Sequence, residues 1–325
     1  MRSPRRTALI IAGIVAGVFL LLTYARYRRD IGPAFERIST GSQIARSRCG
    51  PIEYAVTGEG PPVLVVHGAG GGFDQGLELG DSLARAGFRV IAMSRFGYLR
   101  TPLPANATAP AQADAHACLL DALNIKQAAV LGVSAGGPSA LQFALRFPDR
   151  TTALVLLVPA AYTPRPNQEP PMRTPRGTMF LFDTALRSDF LFWAGGKLAH
   201  DTFIRSILGT PPEVVASASA EEKARLQMFL EHILPISPRR EGLLNDAVVT
   251  SSLPRYELEK IAAPTLAIST ADDLYGTFDG ARYTAEHVPH ARFIGYPRGG
   301  HMLVGRNAEA ASEIAAFLKV SLLQR

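Results

Sequence analysis

Short apolar runs alternate with amphipathic stretches along most of the chain. The runs are typical of buried strands, and the stretches repeat apolar residues at helical spacing. Because strands that alternate with helices usually form parallel sheets, the pattern predicts an α/β fold with a mostly parallel sheet and helices on both faces. Strands are expected at 52–56, 62–66, 89–93, 127–133, 153–158, 264–269 and 292–296, and helices at 75–86, 111–123, from 135 onward and at 307–323.

The pattern changes after Ala161 and returns to strand character only at Pro264. Between them lies a proline-rich stretch, followed by helix-like segments with large apolar residues. This texture predicts a helical cap at 162–256, inserted between core segments 48–161 and 257–325. Its apolar clusters pack internally or line a pocket, and together they favour a hydrophobic ligand over a sugar or nucleotide. The clusters are Met179–Phe182, Phe190–Trp193 and Met228–Leu230.

An uncharged apolar run extends from Ala8 to Tyr24, with three arginines on each side. A helix of this length just crosses a bilayer, which predicts a membrane anchor at 1–30 and a juxtamembrane linker or short helix at 31–47. A cleaved secretory signal is the alternative, although bulky and charged residues follow the run where a small-residue cleavage site is required. Charge around the run weakly favours placing the rest of the chain on the outer, periplasmic or extracellular, side. Cleavage would make the protein secreted.

The basic character of the chain is confined to its N-terminus. Six of the 34 basic residues lie within the first 29 positions, which hold no acidic residue, so the other 28 equal the 28 acidic residues. No basic surface for nucleic acid is therefore predicted. The contexts of Cys49 and Cys118 give no reason for them to pair, and no motif has metal-ligand spacing. Neither a metal nor a cofactor is expected.

One pentad, Gly132-Val133-Ser134-Ala135-Gly136, joins a predicted strand to a predicted helix. A turn this tight leaves no room for side chains at 132 and 136, and it would raise the serine hydroxyl above the carboxyl end of the sheet. The amide of Ala135 would then point at developing negative charge. By itself the pentad also allows a glycine-rich turn that has no chemistry, as the less favoured interpretation.

Three further segments directly follow predicted strands. They are the glycine-rich loop 67–72, the segment 270–273 with two adjacent aspartates, and the segment 299–301 with two glycines and a histidine. His301 is the histidine, among seven, that follows the last predicted strand on a loop able to reach the serine. The order serine, aspartate, histidine is that of a known hydrolase arrangement rather than of either major serine-protease fold.

Together these motifs resemble the α/β-hydrolase superfamily with a helical cap, over roughly Arg48 to Leu322. The resemblance implies that Ser134 is the nucleophile, His301 the base and Asp273 the acid. Asp272 is the alternative acid, because Thr270 replaces the glycine of the usual pattern.

The resemblance also implies an oxyanion hole formed by the backbone amides of Ala135 and Ala69, with Gly70 as the alternative to Ala69. His67 is expected to brace the loop rather than to act as a base. The expected activity is hydrolysis of an ester, or a related acyl bond, in a hydrophobic small molecule through an acyl-enzyme. Carbon–carbon bond hydrolysis with the same triad and ligand binding without catalysis are the alternatives. The sequence gives no indication of oligomeric state.

Overall fold

The computed structural model describes residues 4–164 and 184–323, apart from residue 185. Its centre is an eight-stranded sheet in the order β1-β2-β4-β3-β5-β6-β7-β8. Pairings from β4 through β8 are parallel, whereas β1 and β2 run antiparallel at one edge. The predicted mostly parallel sheet is confirmed. The strands are β1 (Gln43–Ser47), β2 (Gly50–Thr57), β3 (Pro62–Val66), β4 (Arg89–Met93), β5 (Ala128–Val133), β6 (Thr151–Leu157), β7 (Thr265–Thr270) and β8 (Arg292–Tyr296).

Helices cover both faces of this sheet because successive strand residues point to opposite sides. In β3, Leu64 packs into a core with α3 and α4, whereas Val63 and Val65 pack with α2 and α11. The described helices are α1 (Pro4–Ser39), α2 (Phe73–Arg85), α3 (Ala109–Ala122), α4 (Gly137–Arg146), α5 (Asp189–Leu198), α6 (His200–Ile207), α7 (Pro212–Ala216), α8 (Ala220–His232), α9 (Arg240–Ser251), α10 (Thr277–His287) and α11 (Asn307–Leu323).

The segment between β6 and β7 holds helices α5 to α9 and is called the insert below. Its apolar residues form a third core, separate from the two against the sheet. Trp193 and Ile204 are among its buried members. The predicted cluster Met179–Phe182 lies outside the described residues.

Helix α1 is longer than the apolar run predicts. It continues without a break to Ser39, and β1 follows it, so the segment 31–47, expected to be a linker or a short helix, consists largely of the end of α1 and of β1. The physical reason is tertiary: Ile31 and Ala34, one turn apart, are buried against the insert. Within the described chain, α1 is the helix long and apolar enough to cross a membrane, and none of its most apolar window is buried.

Cys49 and Cys118 form a disulfide bond, with 6.1 Å between their Cα atoms. The interpretation that these cysteines do not pair is therefore wrong. Cys49 precedes the second strand and Cys118 lies in the middle of α3, so only the packing of α3 beside the β1–β2 edge brings them together. The residues next to each cysteine in the sequence do not indicate that the two are in contact.

Replacing both cysteines by alanine should lower the free energy of unfolding by about 2–4 kcal/mol, because the bond constrains a long loop in the unfolded chain. The sequence separation it closes is 69 residues. Thermal unfolding of the full chain in detergent measures the effect. A reductant should lower the Tm of the wild type towards that of the double variant, and equal Tm values without reductant would contradict the expectation.

Candidate active site

Ser134 occupies a strained turn between β5 and α4. Its φ of +50° lies in the left-handed region that residues other than glycine rarely adopt. Two glycines permit the turn. A Cβ at Gly132 would lie 2.5 Å from the Cβ of Ala140, and one at Gly136 would lie 2.4 Å from the carbonyl oxygen of Val66. The helix and the neighbouring strand therefore exclude any side chain at these two positions, as the pentad predicts.

The fold brings Ser134, Asp273 and His301 into one hydrogen-bonded chain. The Ser134 Oγ lies 2.9 Å from His301 Nε2, and His301 Nδ1 lies 2.8 Å from Asp273 Oδ2. The side chain of Asp273 is fully buried and that of His301 is 9% exposed. An ionised carboxylate can only accept, so His301 Nδ1 carries the proton, and Nε2 is left to accept the serine proton.

The two adjacent aspartates have different hydrogen-bond partners, and these partners distinguish their roles. Asp272 accepts the backbone N–H groups of Gly300 at 2.8 Å and Gly299 at 3.2 Å, and so fixes the loop before the histidine. Asp273 faces the imidazole and also accepts the Tyr275 amide, at 2.8 Å, and the Thr277 hydroxyl. The geometry therefore puts Asp273, rather than Asp272, beside His301.

The loop carrying His301 is held by Tyr275 and by the insert. The Tyr275 ring meets the imidazole edge-on, with centroids 4.8 Å apart, and its hydroxyl donates to the carbonyls of Ser206 and Ile207. Tyr275 is 51% exposed, but partial desolvation of its hydroxyl, together with Asp273, raises the pKa of Tyr275 to about 12, so this tyrosine stays neutral. The Gly209 carbonyl accepts the His301 amide at 3.2 Å. Sequence reasoning missed Tyr275, since no motif marks it.

The glycine-rich loop passes directly over the serine. A Cβ at Gly68 would lie 3.1 Å from the Cβ of Ser134. The Gly70 amide, the alternative oxyanion donor, already donates to the Tyr98 hydroxyl at 3.3 Å. Ala69 and Ala135 both line the cavity beside Ser134, and Ala69 remains the candidate second donor.

His67 braces this loop from below. Its Nδ1 donates to the Gly68 carbonyl at 2.7 Å, and its Nε2 accepts the Arg95 amide at 3.0 Å. The ring is completely buried, and burial together with the Arg95 charge holds the pKa of His67 well below its ordinary value. A neutral imidazole with both nitrogens engaged and no exposure is suited to bracing, not to accepting a substrate proton.

A buried ion pair joins the glycine-rich loop to the insert. Arg95 donates to both carboxylate oxygens of Asp246 in α9, at 2.7 and 2.6 Å, and also to the carbonyls of His67 and Gly68. The Tyr98 hydroxyl donates to the same carboxylate at 2.5 Å. Burial, with Asp246 nearby, raises the pKa of Tyr98 well above its ordinary value, so it keeps the donated proton.

A second buried cluster joins the insert, α2 and the end of α1. Arg239, whose side chain is fully buried, donates to Asp74 at 2.7 Å and to the Gly71 carbonyl at 2.7 Å. Arg37 of α1 adds contacts to Asp74 at 3.4 Å and to the Leu234 carbonyl at 2.5 Å. Burial raises the pKa of Asp74, but the two arginines outweigh it and hold the value below normal. Sequence reasoning identified none of these residues.

The site opens into a cavity of about 1230 Å³ between the sheet edge and the insert. Ser134 and His301 both line it, and its walls are more apolar than polar. From the predicted apolar clusters, the lining includes Phe192, Met228 and Phe229. Among the described residues, no group of three or more histidine, cysteine, aspartate or glutamate side chains is arranged to hold a metal ion.

Asp246→Ala should lower the free energy of unfolding by about 3–5 kcal/mol, because it leaves the Arg95 guanidinium buried without its carboxylate. Glu241→Ala is the matched control, since Glu241 is exposed on the same helix and should change stability by at most about 0.5 kcal/mol. Chemical denaturation of the full chain measures both. Similar losses for the two variants would contradict a structural role for the ion pair.

Similar proteins match nearly the whole domain. An uncharacterised hydrolase of Bacillus subtilis, YcgS, is 28% identical over 287 residues, covering 83% of this chain and 95% of that protein. A 2-hydroxy-6-oxononadienedioate/2-hydroxy-6-oxononatrienedioate hydrolase of Burkholderia vietnamiensis is 29% identical over 273 residues, or 79% of this chain and 87% of its own length. An α/β-hydrolase fold protein from Nakamurella multipartita superposes with a TM-score of 0.67 at 27% identity, covering 85% of this chain and 98% of that one.

The sequence profile described as alpha/beta hydrolase fold matches residues 61–308, which is most of the chain. The match begins just before β3 and ends at the start of α11, so it contains the serine turn, both aspartates, His301 and the insert. The sheet order and the solved relative agree with it. The chain therefore belongs to the α/β-hydrolase fold family.

Proposed function

We propose that this protein is a membrane-anchored serine hydrolase that cleaves an ester bond in a hydrophobic small molecule. The observation that carries the proposal is the hydrogen-bonded chain from Ser134 through His301 to Asp273, with Ser134 in a left-handed turn that lines a largely apolar cavity. A buried carboxylate behind an imidazole is what activates a serine hydroxyl for attack on an acyl carbonyl.

In the proposed mechanism, the Ser134 Oγ attacks the acyl carbonyl carbon while His301 Nε2 takes its proton. The carbonyl oxygen becomes an anion, which the amides of Ala69 and Ala135 stabilise. Asp273 holds the imidazolium in place. The intermediate collapses as His301 gives its proton to the departing alcohol, leaving an acyl-enzyme. Water then attacks this ester, His301 takes the water proton and returns it to Ser134, and the free acid leaves.

The cavity wall supports a neutral, apolar acyl group. The arginines among its described lining residues are Arg85 and Arg225, and these pair with Asp81 and Glu222. Binding a free carboxylate in an apolar cavity requires a cation or several donors, since burying an unpaired charge is costly. The described part of the wall combines apolar side chains with neutral hydroxyl groups such as those of Thr250 and Ser251, and both of its arginines are already paired, which favours an uncharged ester.

Carbon–carbon bond hydrolysis is the second candidate, and similarity to named hydrolases of 2-hydroxy-6-oxononadienedioate favours it. The same serine, histidine and aspartate would serve such a reaction. Those relatives are named for dicarboxylate substrates, which the described lining accommodates less well than a neutral ester. We therefore place the ester first.

The proposed location of the enzyme is a membrane, to which α1 anchors it. No residue of the apolar run is buried, and the same helix continues into Ile31 and Ala34, which are buried against the insert. An exposed apolar helix of this length is stable in a bilayer and unfavourable in water. The Cys49–Cys118 disulfide supports an oxidising compartment and hence the outer side of the membrane, the side that the flanking charges weakly favour. A cleaved signal is the alternative.

Ser134→Ala should lower kcat for a short p-nitrophenyl ester by at least about 10³-fold, because it removes the nucleophile while the fold remains. It should also abolish labelling by a fluorophosphonate probe. Ser39→Ala is the control, since Ser39 lies at the exposed end of α1, and it should match the wild type. A Ser134→Ala variant that hydrolyses the ester as fast as the wild type would contradict the proposed mechanism.

The same assay should include a 2-hydroxy-6-oxodienoate beside an acyl-chain series of esters. A larger kcat/KM for the dienoate than for every ester would favour the carbon–carbon reaction over the proposed one. Absence of both probe labelling and turnover of either class would point to a binding protein on this fold.

Asp273→Asn should lower kcat by about 10³–10⁴-fold, because an amide cannot stabilise the imidazolium and favours the wrong tautomer. Asp272→Asn should cost only about tenfold, since its carboxylate only positions the Gly299 and Gly300 amides. Steady-state kinetics of both variants, with circular dichroism to confirm folding, makes the comparison. A larger loss for Asp272→Asn would reverse the assignment of the acid.

A further inference from the structure

Helix α5 of the insert has an exposed apolar face. Phe190, Leu191 and Leu198 are 37%, 51% and 87% exposed, whereas Phe192 and Trp193 are buried at 7% and 5%. At 100° per residue, the three exposed side chains fall within an arc of about 100° on one side of the helix. We call these three residues the α5 patch.

The patch lies where α1 leaves its apolar run. The Tyr27 ring contacts Phe190 and Trp193, with centroids 5.2 and 5.6 Å apart, and the Trp193 indole donates to Asp30 at 3.0 Å. The run ends at Tyr24, so Tyr27 is only about 4.5 Å further along the helix axis. Helix α5 is thus docked on α1 within one turn of the end of the proposed membrane span.

The orientation of the patch is fixed by the opposite side of α5. The Asp189 carboxylate accepts the backbone amides of Ile236 and Ser237, at 2.6 and 2.9 Å. Phe192 packs edge-on against Phe203 of α6, with centroids 5.2 Å apart. These contacts keep the patch pointing outward, so it cannot turn into the core of the insert.

Basic residues surround this end of the molecule. Arg26, Arg28 and Arg29 are exposed on α1 directly after the apolar run, and Lys197 is next to Leu198 on α5. Tyrosine at the end of a span and arginine or lysine beside it are typical of the bilayer interface, where the cations meet lipid phosphates. An apolar helix face edged with cations is also the pattern of a helix that lies in that interface.

We infer that α5 lies on the bilayer surface, with the α5 patch inserted among the lipid headgroups and upper acyl chains. The inference rests on the proposed anchoring by α1 and not on the proposed reaction. Phe192, on the buried side of the same helix, lines the cavity. In this arrangement α5 separates the bilayer from the cavity.

A fluorescent probe on the full chain tests this directly. The two native cysteines are paired with each other, so a single introduced cysteine takes up a thiol-reactive NBD group selectively. The probe is placed at Leu191→Cys. The matched control is Val248→Cys on α9 of the insert, where the native side chain is 72% exposed. Both proteins are reconstituted into phosphatidylcholine vesicles containing phosphatidylglycerol.

At position 191, NBD should show a blue-shifted emission, a several-fold rise in intensity and strong quenching by doxyl-labelled lipid. At position 248 it should behave as in water. Equal, water-like emission at the two positions, in protein that resists extraction by alkaline carbonate, would overturn the inference while leaving the anchor intact. Release of the protein from the vesicles by alkaline carbonate would overturn both the inference about α5 and the proposed anchor. Neither readout depends on turnover, and hydrolysis of a soluble ester by the labelled proteins tests the proposed function separately.

Discussion

The backbone at Ser134 is the constraint around which the candidate site is arranged. A left-handed residue between a strand and a helix is costly for any side chain other than glycine, and it persists only where the surroundings enforce it. Here Gly132 and Gly136 let α4 and β3 approach the turn so closely that a side chain at either position would clash with them. The hydroxyl is consequently held at the carboxyl edge of the sheet, within reach of an imidazole that arrives from a loop far along the sequence.

The insert completes the site instead of only covering it. Its Gly209 carbonyl holds the His301 amide, and its Asp246 neutralises Arg95, which in turn fixes the carbonyls of the glycine-rich loop. Burying such an ion pair adds little net stability compared with apolar packing, but removing one partner is strongly unfavourable. The pair therefore makes the position of the insert and that of the loop depend on each other. Movement of the insert would disturb the amide proposed to bind the oxyanion.

Helix α1 is also connected to this arrangement. Arg37 shares Asp74 with the buried Arg239, and Arg239 holds the Gly71 carbonyl of the same loop. Ile31 and Ala34 are buried in the core of the insert. The end of the helix is thus part of the folded domain, and the apolar run belongs to the same helix. Under the proposed anchoring, these contacts would set the orientation of the domain relative to the membrane.

The sequence by itself determined the alternation of strands and helices, the serine turn, the glycine-rich loop and the order of serine, aspartate and histidine. These features are local: periodicity and glycine placement are dictated by backbone sterics over a few residues. Only the tertiary structure separated Asp273 from Asp272, since both follow the same strand and differ in what they face. It alone revealed the disulfide, Tyr275, the Arg95–Asp246 pair and the docking of α1. Each of those joins positions distant in the chain, and such contacts form only when the sheet and the insert have brought their elements together.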